Sequence, residues 1–205
     1  GRVYMYEWGI GADGSTYDSW TQCAEIDSPD ADIGKRFGHR VQASDDGNIL
    51  AVSSVSTGTA GKVEIFVRSS QSNDDSVQHS FSHVQTLTGI TSDGSTLNTK
   101  FGESLSMSKD GTTLIIGAPG YDDSSQADAG AIYYYKWDAD NDSTLLYTLQ
   151  QTLKAPDTQV NMQFGSSLDI NDNGTRLVIG AEKFANSREM LFDSGGTTFD
   201  LQDTA

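Results

Sequence analysis

Three segments of the chain repeat one pattern of apolar and polar positions. In each segment a Phe-Gly pair opens a stretch of alternating apolar and polar residues, and a short turn and a dense apolar run follow. The pairs are Phe37-Gly38, Phe101-Gly102 and Phe164-Gly165, so the pattern returns after 64 and then 63 positions. Alternation predicts a half-buried strand, and a dense apolar run predicts a strand covered on both faces. Each segment is therefore predicted to be a β-hairpin.

The turn residues support the hairpin prediction. Asp46-Gly47, Asp110-Gly111 and Asn173-Gly174 stand between the two runs, and each Gly follows its Phe by 10 positions. Asp-Gly and Asn-Gly pairs are typical of a two-residue type I′ turn, in which both central residues have positive φ. We therefore expect three type I′ hairpins.

Two more strands are predicted after each of the first two hairpins, and a matching pair is predicted at the start of the chain. A Gly-initiated aromatic or apolar strand occurs at residues 61–67 and 130–135, and the opening residues 1–6 match it. A fourth strand is predicted at residues 20–26, 81–87 and 145–153. Four antiparallel strands in a period of about 60 residues form one blade of a β-propeller. The predicted fold class is all-β, with four-stranded antiparallel sheets in tandem that make a partial propeller.

The predicted organisation is one repeat-bearing segment over residues 1–205. Its parts are the end of a preceding blade (1–27), two blades (28–89 and 90–155), and the start of a further blade with a loop insertion (156–205).

These motifs resemble the FG-GAP repeat of integrin-α-like β-propellers. Gly117-Ala118-Pro119 matches the Gly-Ala-Pro part completely, whereas Ser53-Ser54-Val55 and Gly180-Ala181-Glu182 are degenerate. The resemblance implies seven blades, or about 430 residues at this period, and the chain holds about half of that. We therefore expect either a piece of a larger polypeptide or end faces that other copies or subunits cover. Residues 184–205 are similar in style to large structural proteins of marine bacteriophages.

The charge pattern limits the partners. The net charge is −16, and 23 of the 29 acidic residues are Asp. Such a surface repels nucleic acid and anionic lipid, so nucleic-acid binding is not expected. No stretch of 18 apolar residues occurs, so membrane insertion is not expected either. Cys23 is the single cysteine, so an intrachain disulfide is excluded. An acidic, Asp-rich surface suits an extracellular or cell-surface location, or a virion.

Calcium is the one candidate cofactor. The resemblance implies that the calcium-binding form of the repeat carries Asp-x-Asp/Asn-x-Asp-Gly in the hairpin turn. Asp169, Asn171 and Asn173 retain the first half of this motif, but Leu177 replaces the later carboxylate. Alternating carboxylates at Asp138, Asp140 and Asp142 form a second candidate site, because calcium prefers oxygen ligands. The sequons at Asn141 and Asn173 are candidate glycosylation sites.

Histidines and aromatic residues offer two further possibilities. His79 and His83 stand four positions apart in a strand-like stretch, which predicts two surface histidines on one face. A zinc site there needs more ligands, and Cys23 is distant in sequence. Tyr133, Tyr135 and Trp137 parallel Tyr4, Tyr6 and Trp8, and we expect such residues mainly to fill the space between sheets. Any that remain exposed are candidate platforms for sugars or proteins.

No motif of catalysis occurs, whether a nucleophile elbow, a phosphate-binding loop or a His-Glu-x-x-His helix. The predicted function is a non-enzymatic structural or adhesion module of a larger extracellular or surface-displayed protein, which binds protein or glycan partners through propeller loops. Two alternatives use the same residues: a virion component of a bacteriophage, such as a tail fibre, appendage or decoration protein, and a carbohydrate-active enzyme domain with two placed carboxylates.

Overall fold

The structure is a computed structural model that describes residues 1–9, 18–30, 36–55, 60–69, 79–89, 98–123, 126–138 and 146–184. Within these residues every regular element is a β-strand. The candidate calcium ligands Asp140 and Asp142, the Asn141 sequon and residues 185–205 lie outside this part of the chain, as does the side chain of Asp138.

In the described part of the chain twelve strands form four antiparallel sheets, which we number along the chain. The first sheet contains β1 (Arg2–Trp8) and β2 (Trp20–Asp27). The second contains β3 (Phe37–Ala43), β4 (Ile49–Ser54), β5 (Lys62–Arg68) and β6 (Phe81–Thr88). The third contains β7 (Ser104–Met107), β8 (Thr113–Ala118), β9 (Ala131–Asp138) and β10 (Leu146–Leu153). The fourth contains β11 (Phe164–Ile170) and β12 (Leu177–Ala181).

Strands adjacent in sequence are adjacent in each sheet, in the order β3-β4-β5-β6 and β10-β9-β8-β7. The prediction of tandem four-stranded antiparallel sheets is confirmed. The three hairpins lie in three different sheets, as separate blades require. The predicted third and fourth strands appear as β5 and β6 and as β9 and β10, and β1 and β2 are the matching pair at the start of the chain.

Consecutive sheets pack face to face and bury three apolar clusters. Val52 and Phe66 of the second sheet meet Ile26 of the first. The largest cluster lies between the second and third sheets and includes Ile65 and Tyr133. A third cluster joins the third and fourth sheets. In the second and third sheets the dense apolar run after the turn forms a strand that is covered on both faces, β4 and β8. In the fourth sheet this prediction is wrong, because β12 leaves Val178 exposed.

The Phe-Gly pairs join consecutive sheets. Phe101 is fully buried, and its backbone passes so close to Gly61 that a Cβ atom on this glycine would overlap the Phe101 carbonyl oxygen. Only glycine permits such an approach. The same contact recurs at the other two junctions, between Gly1 and Phe37 and between Gly130 and Phe164. The Phe-Gly motif of one repeat therefore contacts the glycine that begins the third strand of the preceding repeat.

The prediction of type I′ turns is wrong for Asp46-Gly47, Asp110-Gly111 and Asn173-Gly174. In each pair the Gly has positive φ, between 66° and 71°, but Asp46, Asp110 and Asn173 are not among the described positive-φ residues. The amide of Gly47 donates to the carbonyl of Ser44, and the amide of Ser44 donates to the carbonyl of Ile49. Each is therefore a four-residue turn, such as Ser44 to Gly47, that ends in a left-handed glycine.

The physical reason is the side chain before each glycine. Asp110 Oδ1 accepts the Thr112 amide at 3.0 Å and the Ser108 hydroxyl at 2.7 Å. Asp46 makes the same two contacts in the second sheet, with Asn48 and Ser44. These bonds hold the aspartate as an Asx-turn residue with ordinary negative φ, and only the glycine must then enter the left-handed region.

The outer faces of the end sheets leave large apolar side chains exposed. Tyr4, Tyr6, Trp8 and Trp20 are each about half exposed or more in the first sheet, and Val178 is 68 % exposed in the fourth. Among the described residues, no helix with the length and apolarity of a membrane span is present.

Candidate functional site

The three hairpin turns lie side by side at one end of the sheets. The Asp45 amide donates to the Lys109 carbonyl at 2.8 Å, and the Lys109 amide donates to the Asp172 carbonyl at 2.9 Å. Together the turns line a depression of about 590 Å³, bordered mainly by acidic and amide side chains. Lys109 partly balances this charge, since its Nζ lies 3.4 Å from an Asp45 carboxylate oxygen. The arrangement is a polar, open surface and not an enclosed pocket.

Two of the carboxylates in these turns have lowered pKa values. Hydrogen bonds from Ser44 and from the Asn48 amide lower the pKa of Asp46, and those from Ser108 and the Thr112 amide lower that of Asp110. In both cases the serine hydroxyl has the largest influence. Both carboxylates are therefore held charged by contacts that also close the turn.

The candidate calcium ligands of the third hairpin have partners within the protein. Asn171 Oδ1 accepts the amides of Thr175 and Arg176, at 2.9 and 2.7 Å. Asn173 Oδ1 accepts the Thr175 hydroxyl at 2.6 Å. Asp169 Oδ1 accepts the Ser106 hydroxyl of the third sheet at 3.0 Å. These oxygens therefore stabilise the turn and the contact between sheets; calcium binding here stays a prediction, as does glycosylation of the exposed Asn173.

The other candidate calcium set, Asp138, Asp140 and Asp142, is described only at its first member. Asp138 ends β9, where its backbone pairs with Leu146. The other two residues follow in the part of the chain that the structure does not describe. Calcium binding by this set is likewise still a prediction.

The aromatic strands follow the expectation that most such residues fill the space between sheets. Tyr133 and Tyr135 are buried, and Trp137 packs against the same cluster. Burial raises the pKa of Tyr135 to about 12. Their counterparts Tyr4 and Tyr6, in contrast, stand on the open outer face of the first sheet.

His79 and His83 are not a pair of free surface histidines. His83 Nε2 lies 2.7 Å from Glu64 Oε2, whereas His79 precedes β6 and its Nε2 lies 2.6 Å from Glu7 Oε1. The side chain of His79 is only 13 % exposed. The two imidazoles therefore belong to two separate clusters.

The first cluster surrounds Glu64, a carboxylate only 1 % exposed on the face of β5 that turns toward the first sheet. Lys62 Nζ forms an ion pair with Glu64 Oε1 at 3.0 Å and pairs also with Asp30. The Thr86 hydroxyl donates to Glu64 Oε2 at 2.6 Å. Burial alone would raise the pKa of Glu64, but the contacts of Thr86, Lys62 and His83 outweigh it, and the pKa is lowered.

The second cluster joins Glu7 of β1, Cys23 of β2 and His79. One carboxylate oxygen, the thiol sulfur and one ring nitrogen lie within 4.8 Å of one another. The His79 amide also donates to the Cys23 carbonyl at 2.7 Å. Cys23 is fully buried, and burial first and the Glu7 charge second raise the pKa of its thiol to about 11.

Sequence reasoning missed both clusters. Glu64 stands between two core residues, Val63 and Ile65. The alternation Lys62-Val63-Glu64-Ile65 was a signal that one face of this strand carries charge. For Cys23 and His79 no local signal exists, because 56 positions separate them. Only the stacking of the first two sheets brings them together.

The cluster at Cys23 is not suited to nucleophilic catalysis. Cys23 is the one thiol, and it lies near an imidazole and a carboxylate. However, a thiol with a raised pKa and no exposed surface is neither a thiolate nor open to a substrate.

In a comparison with known protein families, residues 81–135 match the FG-GAP repeat. The matched segment covers β6, β7, β8 and most of β9, with Phe101-Gly102 and Gly117-Ala118-Pro119 inside it. A comparison with curated proteins gives no match. The matched segment, the two further Phe-Gly hairpins and the stacked antiparallel sheets agree with one another. Residues 81–135 therefore match an FG-GAP repeat, and the stacked antiparallel sheets are consistent with the blades of a β-propeller-type module.

Proposed function

We propose that this chain is a non-enzymatic structural or adhesion module of a larger extracellular or surface-displayed protein, and that it binds protein or glycan partners through the loops at the ends of its sheets. FG-GAP repeats are typical of extracellular proteins, and an acidic surface with net charge −16 suits that setting. Loops held on rigid sheets are common recognition surfaces.

The observation that carries the proposal is the aromatic outer face of the first sheet, which we define as Tyr4, Tyr6 and Trp8. β1 and β9 are equivalent strands of the repeat. Counted from the glycine that precedes each strand, these residues occupy the positions of Tyr133, Tyr135 and Trp137. That second set packs against the preceding sheet, whereas the outer face lies open. The same repeat position is thus built for an interface in both places.

The fourth sheet shows the complementary feature. Val178 takes the repeat position of Ile115 and Ala51, both of which are buried against the sheet that follows. Val178 itself is 68 % exposed. An open aromatic face at one end and an open apolar face at the other fit further sheets of the same repeat. Such an array is a scaffold that presents loops, which supports a structural and not a catalytic role.

The occupant we expect on the aromatic face of the isolated chain is the fourth sheet of a second copy, in a head-to-tail contact. Sedimentation velocity over a range of concentrations tests this. We expect concentration-dependent association that Tyr6→Ser and Trp8→Ser weaken. Leu149→Ser is the matched control, because Leu149 is also half exposed but lies on the outer edge strand β10. A monomer at all concentrations, or equal effects of all three variants, would contradict this use of the face.

The adhesion part is tested separately, with the chain displayed on beads against glycan arrays and surface-protein extracts. We expect binding that loop substitutions reduce and that leaves the glycan intact. Release of soluble sugar from a polysaccharide would instead support the carbohydrate-active alternative, and assembly of the chain into purified phage particles would support the virion alternative.

A further inference from the structure

The Glu7–Cys23–His79 cluster has the composition of a metal centre. Its three donor atoms are a carboxylate oxygen, a sulfur and an imidazole nitrogen, and they come from three separate segments that meet where the first and second sheets pack. Zinc binds these three ligand types, whereas hard cations such as calcium select oxygen alone. The set therefore favours a borderline-soft divalent cation.

The geometry is close to what such an ion needs. With bonds of about 2.0 to 2.3 Å, a tetrahedral zinc ion holds its ligand atoms roughly 3.3 to 3.8 Å apart. The donor atoms here span at most 4.8 Å, and Glu7 Oε1 lies 2.6 Å from His79 Nε2. These separations lie on both sides of the zinc distances, so small side-chain rotations bring the three atoms into place. The backbone hydrogen bond from His79 to Cys23 already holds two of the segments together.

Burial is graded across the cluster. Cys23 is fully buried, while the side chains of His79 and Glu7 are 13 % and 26 % exposed. An ion can therefore enter from the solvent side, and a water molecule can complete a fourth position there. Arg68 is the cation near enough to influence the thiol, and its effect is the smallest of those acting on Cys23. Glu7 supplies a compensating negative charge beside it.

We propose that Glu7, Cys23 and His79 bind a zinc-like divalent cation that fastens the first sheet to the second. On binding, the sulfur–metal bond forms as the thiol proton passes to solvent, and the ion replaces the contact between Glu7 and His79. The site is structural, because its sulfur lies between packed sheets and its ligands come from both of them.

Cobalt(II) titration of the full chain tests the site. The chain has one cysteine, so a sulfur-to-cobalt charge-transfer band in the near ultraviolet reports Cys23 alone. We expect this band at one cobalt per chain, its loss on addition of zinc(II), and a higher Tm with zinc(II) present. Absence of the band in the folded chain would overturn the proposal, as would saturation at one cobalt per two chains, which indicates a site shared between molecules.

Variants assign the ligands. Cys23→Ser should abolish the band, and His79→Gln and Glu7→Gln should each weaken cobalt binding by about tenfold or more. His39→Gln is the matched control, because His39 is also a mostly buried histidine beside a carboxylate, Glu103. Circular dichroism establishes that each variant folds. A band that persists unchanged in both His79→Gln and Glu7→Gln would show that cobalt binds the thiol without this cluster, and the assignment would then be wrong.

Discussion

Two interfaces between consecutive sheets use the same backbone arrangement but different chemistry. Between the second and third sheets the contact is apolar, with Ile65 of β5 and Tyr133 of β9 in one buried cluster. Between the first and second sheets an apolar cluster is joined by buried charge at Glu64. Glu64 and Tyr133 occupy the same position after their strand-initiating glycines. The repeat therefore specifies where sheets meet and leaves open how each interface is stabilised.

The difference has a physical consequence. Apolar burial is insensitive to pH, whereas a buried carboxylate stabilises the fold only while it is charged and paired. Removing one member of such a group leaves the others without a partner in a region of low dielectric. We therefore expect the interface at Glu64 to respond to acid and to single substitutions in ways that the apolar interface does not.

The largest effect is expected in the apolar interface. Phe101→Ala removes a fully buried ring and should lower the free energy of unfolding by about 3–5 kcal/mol. Urea unfolding followed by tryptophan fluorescence measures this. Leu149→Ala, at a half-exposed position, is the control and should change stability by less than about 0.5 kcal/mol. Similar values for both variants would mean that the Phe-Gly contact does not stabilise the junction.

The second-largest effect is expected at Glu64, where substitutions distinguish a buried ion pair from apolar packing. Glu64→Ala should destabilise by about 3 kcal/mol, because Lys62 loses its buried partner. The volume-matched double variant Lys62→Met/Glu64→Met should recover part of this loss, since an apolar pair can replace a buried ion pair, while Thr86 and His83 still lose their acceptor. The same urea experiment measures both. If the double variant is as unstable as the single one, this interface depends on charge itself.

Acid should weaken the interface at Glu64. The pKa of Glu64 is lowered below its ordinary value of 4.5, so the folded state binds the proton less readily than the unfolded chain. Its stabilising contribution is present above the ordinary pKa and is lost as pH falls through the lowered folded value. Thermal unfolding of wild type and Glu64→Gln between pH 7 and pH 3 measures this. We expect the stability difference between them to shrink with acid; a constant difference would contradict the assignment.

The smallest effect belongs to the turns. Asp110→Ala removes the acceptor of the Thr112 amide and the Ser108 hydroxyl, and it should destabilise by about 0.5–1 kcal/mol because the site is exposed. Asp110→Asn should restore most of the loss, since Asn173 holds the equivalent turn. Chemical unfolding of both variants provides the comparison. Equal losses would indicate that the negative charge matters and not the turn hydrogen bonds.

Sequence reasoning predicted the strands better than the turns. Strand positions follow from a period of two and from the Phe-Gly spacing, which are local features, and β3 to β12 lie where they were expected. The turn type depends on whether Asp46 enters the left-handed region, and hydrogen bonds to Ser44 and Asn48 decide that. The Asp-Gly pair alone is compatible with a type I′ turn and with the turn that the structure shows.

The candidate sites were harder to predict. Oxygen-rich sequence at Asn171 and Asn173 indicated a cation, yet the structure shows the same oxygens accepting amides of their own turn. Nothing in the sequence indicated Glu7 as a neighbour of His79. A composition signal cannot tell whether a polar atom faces a ligand or its own backbone, because both need the same donors and acceptors.

By itself the sequence determined the repeat length and the strand order within each sheet, and it placed the Phe-Gly pairs and the strand-initiating glycines at matching positions. These depend on alternation and on backbone space, which neighbouring residues specify. Only the tertiary structure decided which polar groups meet across an interface, including Glu7, Cys23 and His79. That outcome depends on the register between stacked sheets, and side-chain packing along the whole face sets this register.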